Sequence, residues 1–519
     1  VFAPVTGWLD TPANQKIAYA DKMLDRSVFA TWSQVKEMEQ SGLVEIASHT
    51  HNLHNGINAN PSGGQLPSVV APEYKNGKYE TEDAYKNRLK SDFTRTVQTL
   101  VNHIGKKPRV MVWPYGQFND VSVQIARQAG MPHYFSLGEK IVNKVGDKHI
   151  GRLLLNAETD LNTVKNYLDG IDESKQIQRV LHVDLDYVYD ANKAQQAKNL
   201  DKLIDRIYRY GVTTVYLQAF SDPDGDGVAD ALYFPNKYLP VRDDIFGRIA
   251  WQLQTRAGVK VYAWMPVLAF DLRKGVKEAE YVIDSRTGKT STKAYLRLSP
   301  YNKQNVEIIK SIYNDLSFYA KFNGILFHDD AFLTDFEGAE GDHAEGMVSP
   351  QAKQKTQDLI QLTHQLTDAL KPYFLRGSYS LKTARNLYAS VITNPNAEEW
   401  LAQNLKTLTD NYDTTAIMAM PYMENEQPIS QEEAYRWFAS LIENVKAQAP
   451  LDKVLFEFQA VNWRTQKPMP ESELSDWMTL LQKNHIYSYG YYPDNFLTNQ
   501  PDLNKMKPYF SVNTNVGKP

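Results

Sequence analysis

The sequence contains no cysteine, so it can form neither a disulfide nor a thiolate metal site. It has no run approaching 18 apolar residues, so nothing in it reads as a membrane-spanning helix. It lacks a charge excess of either sign. Its 57 Lys and Arg stand against 61 Asp and Glu, a net charge of −4, which excludes the basic footprint of a nucleic-acid-binding protein. Low-complexity tracts and short internal repeats are absent. What is present is 519 residues, 42% of them hydrophobic, enough for two or three domains with ample core. Tyrosine is abundant, at 31, with nine tryptophans. Most of these rings belong in cores, but such a supply also suits stacking on sugars. The chain opens on Val1, mid-pattern, as "VFAPVTGW". It is read as a fragment whose N-terminal part, with any signal peptide, lies upstream.

The first part alternates strands and helices. "TWSQVKEMEQSG" carries Val35 and Met38 on one helical stripe and ends at Gly42. "LVEIASHT" follows as a strand. The helix "YKNRLKSDFTRTVQTLVNHIG" presents Phe93, Val97, Leu100, Val101 and Ile104 and closes at Gly105. "RVMVWPYG" reads as a strand, "DVSVQIARQAG" as a helix and "HYFSL" as a strand, a β/α pattern of parallel strands. A polar stretch follows, and a boundary is placed near Glu173–Gln178, dividing the chain into domains 1–174 and 175–519.

From Val180 the alternation restarts. Eight strand-like runs are "VLHVDLD" (180–186), "VTTVYLQ" (212–218), "VKVYAWM" (259–265), "GILFHD" (324–329), "FLRGSYS" (374–380), "AIMAMPYM" (416–423), "KVLFEFQ" (453–459) and "IYSYGYY" (486–492), with helical patterns in all seven gaps. Eight strands separated by helices predict a (β/α)8 barrel, here spanning about 315 residues against a usual ~250.

Two stretches carry chemistry in the first part. "ASHTHNLHNG" (47–56) packs three histidines into six residues where a strand runs into a loop. His49 and His54, neutral imidazoles, could hold a divalent metal and leave positions open for water. "RVMVWPYG" sets Arg109 ahead of Trp113-Pro114-Tyr115. Together they resemble the NodB-type polysaccharide deacetylases (carbohydrate esterase family 4), whose motifs are H-[ST]-x-x-[HN], here the longer "SHTHNLH", and an Arg followed by an aromatic-Pro-Tyr strand end. More narrowly, the whole chain resembles the poly-β-1,6-N-acetyl-D-glucosamine N-deacetylases of bacterial biofilm export. In these a deacetylase domain precedes a glycoside-hydrolase-like barrel.

The resemblance implies a divalent metal (zinc, nickel, iron or cobalt) on His49 and His54, with His51 left to local hydrogen bonding. It implies that Arg109 orients a catalytic carboxylate, that Trp113 and Tyr115 wall a sugar pocket, and that a backbone N–H near Tyr115 serves as oxyanion donor. The family's Asp-Asp pair and catalytic histidine are not found. The aspartates before His49 are Asp10, Asp21 and Asp25, none at a strand end. Both parts are expected upstream of Val1, and the chain alone should be a poor deacetylase. The implied partners are the polysaccharide and an outer-membrane export pore, with no nucleic acid. The implied location is the periplasm, at the outer membrane through an N-terminal lipid anchor.

In a (β/α)8 barrel, chemistry sits at the C-terminal ends of the strands. Those ends offer Asp184 and Asp186, Gln218, Trp264, His328-Asp329-Asp330 with Asp335 beyond, Tyr379, Tyr422 and Glu424, Glu457 and Gln459 with Trp463 beyond, then Tyr489, Tyr491 and Tyr492. Aromatics stack on sugar faces, and paired carboxylates are the minimum for glycoside hydrolysis. Asp329, Asp330, Asp335 and Glu457 are therefore the expected acids, and Asp184, Asp186, Trp264, Tyr379, Tyr422, Glu424 and Trp463 the expected groove. An acidic groove would attract a partly deacetylated, cationic polymer. Two other readings remain open: a barrel that only grips the polymer, and a chitinase- or amylase-like hydrolase. "DPDGDGVAD" (222–230) imitates a calcium loop but places Tyr233 where the bidentate Glu belongs. It is read as an ordinary turn.

Overall fold

The computed structural model describes every residue except 20–21, 138–141, 158, 170–176, 339–347, 378–379, 426 and 513–519. The chain forms two compact units, one of Val1–Glu173 with Ser317–Tyr319 and Leu370–Leu381, the other of Ser174–Leu316, Ala320–Ala369 and Lys382–Pro519. Most of the boundary stretch Glu173–Gln178 lies outside the described residues. Among the described residues no helix is long and apolar enough to cross a membrane.

In the first unit, three parallel strands, Val110–Val112, His133–Leu137 and His149–Arg152, pair in chain order. The long helix Glu82–Ile104 starts where the Thr81 hydroxyl accepts the Ala84 N–H, carries Glu82 and Asp83 in its first turn, and stops at Gly105 in a left-handed conformation. It buries Tyr85, Leu89 and Phe93 against Trp113, Phe118 and Tyr134. The expected strand 43–50 is reduced to two bridges, Ile46 to Phe2 and Ser48 to Met111. Ser48 exchanges two backbone hydrogen bonds with Val110 and Val112, and this sets the histidine loop at the C-terminal end of the Val110–Val112 strand.

The second unit is a closed parallel barrel of eight strands in chain order: Arg179–Val183, Thr214–Gln218, Lys260–Met265, Gly324–Phe327, Lys382–Tyr388, Thr414–Ala419, Val454–Gln459 and Tyr489–Tyr492. The last closes on the first through Arg179, Val180 and Leu181. Seven of the eight are buried along nearly their whole length, which is why those seven read as apolar runs.

The fifth strand corrects the sequence reading. "FLRGSYS" is not a barrel strand: Arg376 exchanges two backbone hydrogen bonds with Phe118, and both belong to the first unit. The fifth strand is Lys382–Tyr388, whose Lys382 and Arg385 disguise it. Arg385 is fully buried, with its guanidinium donating to the Tyr412 hydroxyl and the Ala331 carbonyl. Tyr379 lies outside the described residues, and the tyrosine that ends the strand is Tyr388.

Candidate functional site

The histidine loop is held from several sides. The Asp92 carboxylate accepts the backbone N–H groups of His51 (2.8 Å) and Asn52 (2.7 Å). Thr50 sits buried at φ 72°, a strained conformation for a β-branched residue, and its hydroxyl accepts the Leu53 N–H. His51 Nδ1 lies 2.9 Å from the Thr6 hydroxyl, so His51 is a local hydrogen-bonding partner. His49 and His54 come together, ring centroids 4.9 Å apart. The Nδ1 atom of His49 lies 2.6 Å from the Val112 carbonyl oxygen, which can only accept. His49 therefore carries its proton on Nδ1 and presents a lone pair on Nε2. Burial lowers the pKa of both imidazoles, to about 4 for His49, so both are neutral at neutral pH.

His54 is ringed by aromatics: Tyr115 at 4.6 Å, Trp8 at 5.2 Å and Tyr19 at 6.0 Å. Tyr115 is 45% exposed and left-handed at φ 56°, held out by a turn whose next residue, Gly116, admits no Cβ against Leu137. A cavity of about 510 Å³ opens here, bordered by His49, Tyr115, Phe135, Leu137 and Arg152.

Trp113 borders the cavity, through a ring that is otherwise fully buried and stacks on Phe118 at 5.9 Å. One expectation for this unit is corrected. Arg109 precedes the strand, at the end opposite the histidines, and is spent in a two-pronged ion pair with Glu45 (2.7 and 3.0 Å). The cation that borders the cavity is Arg152, anchored by Nε to the Ser136 carbonyl at 3.3 Å. It ends a short strand with no motif around it, so no sequence signal marked it. Asp10 accepts from the Trp32 indole and Asp25 pairs with Lys16, while Asp21 is outside the described residues. Among the described residues no third carboxylate or imidazole joins His49 and His54 as a ligand group.

At the barrel mouth, the acids fall into different states. Asp329, two residues past the fourth strand, lies 2.9 Å from His328 Nε2 and accepts hydroxyls from Tyr388 (2.6 Å) and Tyr295 (2.8 Å). Burial opposes its charge, but the His328 cation and these hydrogen bonds outweigh that and hold it well below the usual carboxylate range. His328 is correspondingly held well above an ordinary imidazole, its burial outweighed by Asp329 and Asp330. Asp184, just past the first strand, is the reverse. Burial, reinforced by Asp186 and Asp222, pushes it up to about 8. Trp264 is buried beneath, 4.1 Å from the His182 ring and 5.5 Å from Tyr492. Trp463 stacks on Tyr492 at 6.1 Å.

Several expected groove residues are otherwise employed. Asp330 is fully buried and accepts the backbone N–H groups of Val267, Leu268 and Ala269, which fixes the turn after the third strand. Asp186 holds Arg242 (2.5 Å), Ser221 and Tyr233. Glu457 is inside the barrel rather than at a strand end, lying 2.6 Å from His182 Nδ1 and accepting from Asn386 at 2.8 Å. Asp335 has Arg286 and Lys355 as its neighbours in charge. Tyr422 donates to Glu473, and Glu424, raised by burial to about 7, accepts the Ala389 N–H. Asp222 is used by its own loop, accepting N–H groups of Gly225, Asp226 and Gly227. His182, Tyr295 and Tyr388 were missed. Tyr388 was hidden by the misplaced strand, and Tyr295 stands in a loop between strands.

The fold and these two sites define a polysaccharide deacetylase domain joined to a glycoside-hydrolase-like barrel. Residues 4–134 match the polysaccharide deacetylase family, and residues 182–492 match a family described as hypothetical glycosyl hydrolase family 13. The chain belongs to the poly-β-1,6-N-acetyl-D-glucosamine N-deacetylase family. It is 39% identical over 538 residues to the Escherichia coli K12 protein of that name, covering 99% of this chain and 79% of that one. A Staphylococcus aureus protein of the same name is 28% identical over 141 residues, 27% of this chain and 42% of its own. The solved PgaB (BpsB) glycoside hydrolase domain from Bordetella bronchiseptica superposes with a TM-score of 0.60 at 39% identity, over 65% of this chain and all of that one.

Proposed function

We propose that the first unit removes N-acetyl groups from poly-β-1,6-N-acetyl-D-glucosamine with a divalent metal, and that the barrel binds and cleaves the partly deacetylated polymer during its export through the periplasm and an outer-membrane pore. The observation that carries the first half is the His49–His54 pair, with His49 Nδ1 fixed on the Val112 carbonyl. An imidazole locked by its other nitrogen and kept neutral by burial is the form a metal takes, so the donors present fit the ion. Zinc, nickel, iron or cobalt held by His49 and His54 would lower the pKa of a water and polarise the acetamide carbonyl. Tyr115 presents an exposed ring to a sugar, and Arg152 brings positive charge to the cavity in which an oxyanion would form. For the barrel, Asp329 offers an ionised carboxylate between two tyrosines, and the names of the relatives and the matched hydrolase family support a glycan there.

Metal binding tests the first half without requiring turnover. Calorimetric titration of the chelator-treated protein with Zn²⁺ or Co²⁺ is expected to give one site per chain. His49→Ala should lose it, with affinity falling at least ~10- to 100-fold. Unchanged metal affinity in His49→Ala would sink the assignment. Deacetylation by residues 1–519, followed as released amine, is expected to be slow, because no carboxylate base joins the pair among the described residues.

A further inference from the structure

The sequence sets Asp329 and Asp330 side by side, and the geometry gives them different work. Between them stands His328, directly after the fourth strand and only 7% exposed. Its Nε2 lies 2.9 Å from Asp329 and its Nδ1 3.4 Å from Asp330. Asp330 is already committed. The backbone N–H groups of Leu268 and Ala269 reach its Oδ2 at 2.6 Å, and that of Val267 reaches its Oδ1 at 3.0 Å. These amides offset much of its charge and fix it to the turn after the third strand. Asp329 is met by side chains instead: His328 at Oδ1, and the hydroxyls of Tyr388 and Tyr295 at Oδ2. The rings of Trp264 (5.2 Å), Tyr295 (5.4 Å) and Phe220 (5.9 Å) pack around the imidazole and hold its plane. Two further titratable groups look on: Asp184, after the first strand, faces His328, and Glu424 faces Tyr388. Among all these groups His328 is the one base.

We propose that His328 is a positioning residue for cleavage by the barrel: anchored through Asp330 to the turn after the third strand, it gives the Asp329 carboxylate a fixed countercharge and a fixed direction. This deepens, and rests on, the reading of the barrel as a unit that cleaves the polymer. Asp329 then enters the reaction as a base or a nucleophile and not as a proton donor. Asp330 serves only as the anchor. Take away the imidazolium, and burial alone acts on Asp329. A buried carboxyl group without a countercharge holds its proton to higher pH. The loss is therefore one of charge state, which a sufficiently high pH restores, and packing damage has no such remedy.

The test follows shortening of partly deacetylated polymer by the whole chain, as kcat/KM against pH. His328→Gln keeps a side-chain N–H donor and loses the charge. It is expected to raise the acid limb of the profile by ~1–3 pH units, the worth of an opposite charge beside a carboxylate. Its deficit against the parent should be largest at about pH 4 and shrink as pH rises to about 8. Tyr388→Phe, which removes one hydroxyl from Asp329 and leaves the cation, should move the same limb the same way by less. If His328→Gln does not fold, the shift in Tyr388→Phe decides. A second readout needs neither a variant nor turnover. In ¹⁵N-histidine NMR spectra of the parent, one imidazole is expected to stay doubly protonated to about pH 9, since its two acids hold His328 up to about 10. Three results overturn the inference. If both variants lose the same factor at every pH, or none, His328 merely packs while the cleavage reading stands. If every imidazole of the parent is neutral at pH 8, Asp329 has no countercharge. If the parent shortens no polymer at any pH, the cleavage reading fails and the inference with it.

Discussion

Asp184 and Asp329 are the same side chain held in opposite charge states. Asp329 is ionised because three donors reach it, and Asp184 is neutral because none does at close range. Separation of two carboxyl groups by environment is how one fold supplies both acid and base character. It also has a cost in stability with a definite sign. The folded-state pKa of Asp184, about 8, lies above its unfolded value, so the native state holds a proton the unfolded chain has released. Its contribution is fully present below about pH 4 and is lost as pH rises through about 8. The barrel should therefore soften between pH 5 and pH 8, and Asp184→Asn should flatten that slope. At pH 8 the variant is expected to be the more stable by about 1–3 kcal/mol, read from urea midpoints. A parent and variant with parallel pH profiles would contradict the buried, neutral state of Asp184.

At the scale of elements, barrel closure depends on places where no side chain fits. On Gly490, in the eighth strand, a Cβ would meet the Val180 carbonyl at 2.6 Å and the Val180 Cβ at 2.8 Å, on the strand where the barrel closes. Gly490→Ala is expected to cost about 1–3 kcal/mol by forcing the last strand off the first. Gly288→Ala, at a turn with φ +65° and open space around it, should cost about 1 kcal/mol. Equal urea midpoints for the two would refute the closure argument. The same elements show what the sequence made legible. Seven barrel strands were readable because a strand buried on both faces is a nearly unbroken apolar run. The fifth was not, because Arg385 inside the barrel breaks that run and "FLRGSYS" imitates one. In the first unit the helices were legible from the stripes of Val35 and Met38 and of Phe93, Val97 and Leu100 and from their stops at Gly42 and Gly105, while the caps Thr31, Thr81 and Asn119 went unread. The strand before the histidines was overread, since only Ile46 and Ser48 bridge to a neighbour. His49 and His54 were legible as a pair because spacing at a strand end survives folding. Arg109 was not, because a motif records order along the chain and not which end of the strand a residue occupies. Asp330 and Asp186 were misjudged for a related reason: sequence shows an acid but not the amides and guanidinium that consume it.

For the whole molecule, two sites of different chemistry on one chain imply an order of events. On the proposed reading the first unit makes amines, and Asp329 gives the barrel mouth an ionised carboxylate to receive them. Full acetylation leaves the polymer neutral, so cleavage of the polymer by the barrel should wait on deacetylation. The prediction is a pattern across two substrates, measured with the metal-loaded protein. On fully acetylated polymer, His49→Ala should abolish both amine release and chain shortening, although it leaves the barrel untouched. On partly deacetylated polymer, His49→Ala should shorten chains at the parent rate, while Asp329→Asn should be slower by ~10²–10⁴-fold on loss of an essential carboxylate. Asp329→Asn should still release amines from acetylated polymer normally, since the altered residue belongs to the other unit. If His49→Ala shortens fully acetylated chains as fast as the parent does, the barrel does not depend on the first unit's product, and the two activities merely share a chain.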